Sequence, residues 1–325
     1  MAGALQRRLA AGEFAITAEI TPPVSADPEG LLQKARALAG LADAINVTDG
    51  AGARAHLDSL TAAGLMVRAG IEPVLQVTCR DRNRIALQSL LIGAAAQGIH
   101  NLLALHGDDP SAGDQPDTKP VFDLNSHALL TTVRGMTQRG ELPTGRAIGG
   151  QIEFFFGAAD MPVDPAPDWQ PTNLMRKIEA GAQFVQTQFC LDPELMQRYL
   201  ARLEQHGILP GLYVLVGLAP LASARSARWI RDKLPGSVIP EALITRLEAA
   251  SDPKVEGQRI CLELMQQLRG VRGVAGVHLM APLNEGALPA VIREFRSSGT
   301  SLMQTRGRLP ADRAIPAAQS SSKTL

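Results

Sequence analysis

The chain has 325 residues, 45% of them hydrophobic, and its 32 basic residues balance 32 acidic ones for a formal net charge of zero. This supplies apolar material for a large core, while the balance and the lack of a basic run argue against nucleic acid or an anionic membrane as partner. No uninterrupted apolar stretch reaches the roughly 18 residues of a membrane span, and the charged N-terminal segment MAGALQRRLAAGEF makes a poor signal peptide.

The elements follow in chain order. A short amphipathic helix over 3–12 leads into a strand at 15–21, which Pro22 and Pro23 stop. Leu31, Ala35, Leu38 and Ala42 recur at helical spacing and predict a helix over 27–42. A strand at 44–48, a helix at 54–69 and a strand at 73–79 come next, then a helix at 82–98 that ends at Gly98. NLLALHG (101–107) is nearly continuous in apolar residues, as a strand covered on both faces should be. DDPSAGDQPDTKP (108–120) is a loop by composition. Beyond it the pattern gives a helix at 123–138, a strand at 147–155, a loop at 157–171, a helix at 171–181, a strand at 184–190, a helix at 192–206 and a strand at 212–219. Helical stretches at 222–233, 239–250 and 254–270, a strand at 276–281 and a helix at 284–297 complete the order.

Eight strand–helix units predict a single-domain α/β fold, a (β/α)8 TIM barrel over 1–299, with the polar, aperiodic tail 300–325 expected to be disordered. In that architecture the reacting groups sit at the carboxyl ends of the strands. The apolar strands here end on polar residues: Glu19, Thr48 with Asp49, Gln76 with Thr78, His106 with Asp108, Gln151 with Glu153, and Gln186 with Gln188.

Glu19, flanked by Ile20 and the proline pair, is the first candidate, either a general acid in an apolar mouth or a structural carboxylate. Asp108 follows His106-Gly107, where a glycine lets the backbone approach a ligand; it is either a ligand-binding carboxylate or a turn residue. Gln186 and Gln188 point the same way on their strand, so one of them should project at the mouth. Lys177 reads as a solvated helix residue or a ligand contact, and among the six histidines only His106 is persuasively placed. Cys79, Cys190 and Cys261 are widely spaced without a CxxC, which fits small buried residues in a reducing cytoplasm. No HxH or HExxH, no P-loop, no GxSxG and no GxGxxG after a strand is present, so neither a metal site nor those cofactor motifs are supported.

The segments AEITPP (18–23), INVTDGAG (45–52), GIHNLLALHGDDP (98–110) and KIEAGAQFVQTQF (177–189) together resemble the methylenetetrahydrofolate reductase family. The resemblance implies a (β/α)8 barrel that reduces 5,10-methylenetetrahydrofolate to 5-methyltetrahydrofolate with NAD(P)H, through a non-covalent flavin, usually FAD, by ping-pong hydride transfer. By position it implies that Glu19 is the general acid that opens the five-membered ring. Asp108 would lie near pterin and flavin, and Gln188 would be shared between folate and nicotinamide. Thr48, Ala51, Gln76, His106, Gly107, Asp108, Asn173, Arg176 and Lys177 would be flavin-contacting or adjacent.

Five departures accompany it. Asp49 stands for the usual aromatic, Gln76 for a histidine, His106 for an arginine, and Glu285 for an arginine in the last strand–helix loop. EFFFGAADMP (153–162) replaces a Tyr-Pro…His-Pro segment and looks like the shorter branch of acetogens and some proteobacteria. The cofactor therefore stays open among FAD, FMN and none, and the donor between NADH and NADPH. A flavin-free or partner-dependent reductase and a non-redox pterin-binding module are the alternatives. A folate substrate, a cytoplasmic location, a homo-oligomer or a partner subunit, and the absence of the long second domain of eukaryotic forms complete the expectations.

Overall fold

The computed structural model describes residues 3–209 and 211–306, with side chains described as far as residue 298. Eight strands, β1 (Ala15–Ile20), β2 (Ala44–Val47), β3 (Pro73–Thr78), β4 (Asn101–Leu105), β5 (Phe155–Asp160), β6 (Phe184–Phe189), β7 (Tyr213–Leu218) and β8 (Val274–Leu279), pair in parallel in chain order. β8 returns to β1 with Thr17 opposite His278, so the sheet closes into a barrel. The expected fold is the observed one.

Around it lie α2 (Glu29–Leu38), α3 (Ser59–Arg68), α4 (Arg84–Ala96), α5 (Ser126–Arg139), α6 (Thr172–Glu179), α7 (Pro193–Gln205), α8 (Ala224–Lys233), α9 (Glu241–Ala249), α10 (Pro253–Arg269) and α11 (Leu288–Arg306). Their starts follow local chemistry: the side chains of Asp58, Asn83, Asn125, Asp192, Ser223 and Asp252 accept from backbone N–H groups of the first turn of α3, α4, α5, α7, α8 and α10. None of the described helices is long and apolar enough to cross a membrane.

Because side chains alternate across a strand, every second residue faces the barrel interior. At the amino-terminal end this interior is apolar: Ala15, Ala44, Val74, Leu103, Phe155, Phe184 and Leu215 pack together. Leu5 and Leu9 of α1 (Ala4–Ala10) close it from below, and the Glu72 carboxylate accepts from the N–H groups of Ala4 and Leu5 at 2.5 and 3.1 Å. Gly157 makes room for this layer, since a Cβ there would lie 2.6 Å from the Phe184 ring. Above it the filling turns polar, with Thr17, Asn46, Gln186 and His278 all at most 2% exposed.

Three boundaries differ from expectation. β5 begins where it was expected to end, so Gln151 and Glu153 are exposed before the sheet and bond each other, and the strand ends on Asp160. Gly150 sits at φ +85°, outside extended geometry, and the ladder pairs Asn101 with Phe155 so that the phenylalanines are buried. The helix expected over 54–69 forms only from Ser59. Gly50, Gly52 and Ala53 all have positive φ and make a tight 3-10 turn instead. α11 runs to Arg306, well into the segment expected to be disordered, and the rest of that segment lies outside the described residues.

Candidate active site at the barrel mouth

Glu19 sits at the carboxyl end of β1, facing inward, with its side chain 21% exposed. Its Oε2 accepts from Gln76 Nε2 at 2.6 Å and lies 3.5 Å from His278 Nε2. The carboxyl is thus held from within the barrel on one oxygen. Thr48, directly beyond β2, is 5% exposed, and its Oγ1 has no hydrogen-bond partner. A buried hydroxyl without a partner is uncommon and marks a place where a ligand or water supplies the missing bond.

Asp108 is exposed and its Oδ2 accepts from Gly52 N–H at 2.9 Å, which ties the loop after β4 to the loop after β2. Arg80 lies between them with its side chain 5% exposed. It donates to the carbonyls of Gly50 and Asp108 at 3.2 and 3.4 Å and forks onto Asp81 at 2.8 Å. Gly107 has φ +98°, and a Cβ there would meet Arg80 Cβ at 2.9 Å, so a side chain at that position is excluded twice. His106 is exposed and stacks on Phe122, with centroids 4.4 Å apart and planes 9° from parallel.

Gln188 lies above Gln186 on the inner side of β6. Gln186 is buried in the barrel, while Gln188 is partly exposed, its Oε1 accepting from Phe189 N–H at 3.0 Å and its Nε2 reaching Pro235 O at 3.4 Å. On α6, Asn173 and Arg176 are exposed, whereas Lys177 is buried and its Nζ donates to Ala159 O at 2.6 Å. Next to it Asp160 accepts from Tyr199 OH at 2.5 Å. Burial pushes the Lys177 ammonium down and the Asp160 carboxyl up, each opposed by the charge of the other.

A family model described as methylenetetrahydrofolate reductase matches residues 4–296. The chain belongs to the methylenetetrahydrofolate reductase family. It is 25% identical over 265 residues to 5,10-methylenetetrahydrofolate reductase of Salmonella typhimurium, covering 79% of this chain and 82% of that one. It is likewise 25% identical over 254 residues to a probable methylenetetrahydrofolate reductase (NADPH) of Caenorhabditis elegans, covering 74% of this chain. The matched part spans about a third of the C. elegans protein, 35% of its length. Among solved structures, a Clostridium thermocellum protein described as binding two copies of 5-methyl-5,6,7,8-tetrahydrofolic acid superposes with a TM-score of 0.65 at 13% identity, covering 90% of this chain and 99% of that one. EDTA monooxygenase from Chelativorans superposes at 0.54 and 10% identity, covering 91% and 95%. At those identities the two structures show the shared fold.

Against the reductase family's pattern, the altered positions have definite local roles. Asp49 faces out of the barrel and is buried. It accepts from Thr78 N–H and Oγ1 at 2.9 Å, from Ser59 Oγ at 3.1 Å, and from Arg82 at 2.7 and 3.2 Å. Burial raises its pKa, but Arg82 and Thr78 outweigh that and hold Asp49 below its usual value. Gln76 donates to Glu19, and Glu285 pairs with Lys34 of α2 at 3.4 Å.

Sequence reasoning missed His278. Its place in VHLMAP, on the inner face of β8 by alternation, was the available signal, and the expectation that only His106 is well placed among the histidines is corrected. Asp160 was missed because β5 was placed too early. All three cysteines are buried and unpaired, and burial pushes Cys79 up to about 11 and Cys190 and Cys261 up to about 12, which leaves none of them as a nucleophile. The described residues hold no cluster able to bind a metal. A hollow of about 520 Å³ between Phe14, Tyr213, Arg269 and Arg272 lies at the opposite end of the barrel and includes none of these strand-end residues.

Proposed function

We propose that this chain reduces 5,10-methylenetetrahydrofolate to 5-methyltetrahydrofolate with hydride from NAD(P)H. The observation that carries the reading is Glu19, a carboxyl at the mouth with one oxygen anchored by Gln76 and the residue still open to solvent. Protonation of the departing ring nitrogen by Glu19 lets that C–N bond break with its electron pair on nitrogen, leaving an iminium carbon able to accept hydride. Asp108 lowers the energy of that cation through its charge, and Gln188 orients the folate once its amide leaves Phe189 and Pro235. The C. thermocellum neighbour's described ligand, a methylated tetrahydrofolate, supports the substrate class.

A non-covalent flavin, FAD on the family's pattern, fits the mouth. Thr48 Oγ1 offers an unfilled hydrogen bond, Gly52 beside Ala51 is tied to Asp108, and Gly107 leaves its backbone free of a side chain. His106, Asn173 and Arg176 stand exposed above, and exposed Val24, Val121, Met161 and Leu283 give the rim an apolar surface. When bound, the flavin would supply a relay for hydride between nicotinamide and folate. The two donors Gln76 and Lys177 already have partners inside the protein, at Glu19 and Ala159. That favours a second reading, direct transfer from NAD(P)H or a flavin held with a partner subunit.

The test is a visible spectrum of protein purified without added cofactor, then anaerobic NAD(P)H, then methylenetetrahydrofolate. A flavin band that bleaches and returns is the expected result. Turnover without a band, even after reconstitution with FAD or FMN, would move the assignment to direct transfer. Folate binding with no reduction under any of these conditions would leave a pterin-binding module.

A further inference from the structure

Below Glu19 the barrel encloses a chain of polar side chains with few ways to distribute its hydrogens. Asn46 Nδ2 donates to Gln186 Oε1 at 2.6 Å, and Gln186 Nε2 donates back to Asn46 Oδ1 at 3.0 Å. Gln186 Nε2 also donates to Thr17 Oγ1 at 3.0 Å. The Thr17 oxygen is therefore an acceptor on that side, and its own hydrogen has two destinations, His278 Nδ1 at 3.0 Å and the Val277 carbonyl at 3.4 Å. The shorter contact makes Nδ1 the acceptor, which puts the hydrogen of the neutral ring on Nε2. Nε2 is the atom facing Glu19 Oε2, where the opposite tautomer would set a lone pair against a carboxylate oxygen.

We propose that His278 is a positioning residue for Glu19: held as the Nε2–H tautomer by Thr17, Gln186 and Asn46, it joins Gln76 in donating to Oε2 and so leaves Oε1 to carry the acid proton toward the mouth. This rests on the reductase reading for its consequence in catalysis, but not for the tautomer itself. With Gln76 Nε2 at 2.6 Å and the His278 Nε2–H directed at the same oxygen from 3.5 Å, the proton is presented on the other oxygen and Glu19 is oriented before substrate arrives. The network extends downward only to the apolar layer of Leu5, Leu9, Phe155, Phe184 and Leu215, so it orients the acid rather than supplying protons from below.

Two measurements test this. Multiple-bond ¹H–¹⁵N correlation on ¹⁵N-labelled protein with a neutral ring, the His278 signal being identified by its loss in His278→Gln, is expected to show hydrogen on Nε2. Hydrogen on Nδ1 would overturn the proposal whether or not the protein is a reductase. In steady-state reduction of methylenetetrahydrofolate, His278→Phe keeps a ring but removes both nitrogens, and kcat should fall on the order of tenfold to a hundredfold with little change in KM. His278→Gln, whose amide N–H extends toward the place of Nε2, should recover part of that loss. In a Glu19→Gln background His278→Phe should cost little more, since both act on one step. Equal losses from His278→Phe in the presence and absence of the Glu19 carboxyl would assign His278 a purely structural role. A wild-type protein inactive on folate would refute the reductase reading and leave the tautomer measurement to decide this one.

Discussion

Glu19 and Asp49 close adjacent strands, one facing into the barrel and the other out. Glu19 faces in, keeps part of its surface, and has one fixed donor, Gln76, on Oε2, with His278 Nε2 3.5 Å from the same oxygen. Replacing it with Gln preserves the shape and removes the acid, so on the proposed reductase reading methylenetetrahydrofolate turnover should fall by about 10²–10⁴, while any bound flavin is still reduced by NAD(P)H. Full folate turnover by Glu19→Gln in a stopped-flow assay would move the acid elsewhere. Asp49 faces out and is a strut between β3, α3 and Arg82, with both oxygens occupied. Its folded pKa is depressed below 3.8, so its stabilisation is present above the unfolded value and is lost as pH falls from there through the folded value. Asp49→Asn should cost about 3 kcal/mol in urea unfolding near neutrality, since it leaves Arg82 short of its main partner. The difference from wild type should shrink toward pH about 3, below the carboxylate range; a constant difference would show that the charge is not the source.

At the scale of elements, local chemistry decided most starts and stops. Asp, Asn and Ser caps precede helices where their side chains can accept from the first turn, and these are readable residue by residue. β5 was not readable in this way. The run QIEFFFGAAD has no single alternation that fixes its register, and the choice fell to β4, against which Asn101 pairs with Phe155. The short α1 has a role beyond its length because its apolar face plugs the barrel. Leu5 is fully buried there, and Leu5→Ala should cost about 2–5 kcal/mol through the cavity it leaves. Chemical denaturation should show the lowered midpoint, and folate turnover at the far end of the barrel should be retained. A loss below about 1 kcal/mol would mean that α1 does not seal the core.

At the scale of the molecule, the strand–helix rhythm, the (β/α)8 class, the family, and the rule that chemistry collects where strands end are all legible along the chain. The rhythm, the class and the strand-end rule follow from periodicity and composition, which are local properties of the chain, whereas the family is legible through the resemblance of the segments 18–23, 45–52, 98–110 and 177–189. Strand ends also mark Glu19, Thr48, Asp108 and Gln188 as mouth candidates, because an apolar run that stops on a polar residue is readable without its neighbours. Only the closed barrel decided which groups meet there. Thr17 and His278 are 261 residues apart and touch because β8 pairs with β1 in one register. Arg80 joins the loops after β2 and β4 because β3 lies between them in the sheet. The same closure turned Asp49 from a mouth residue into a strut and placed Asp160 at the end of β5 beside Tyr199 and Lys177. Hydrogen bonds between distant strands set these pairings, and no window of sequence contains both partners.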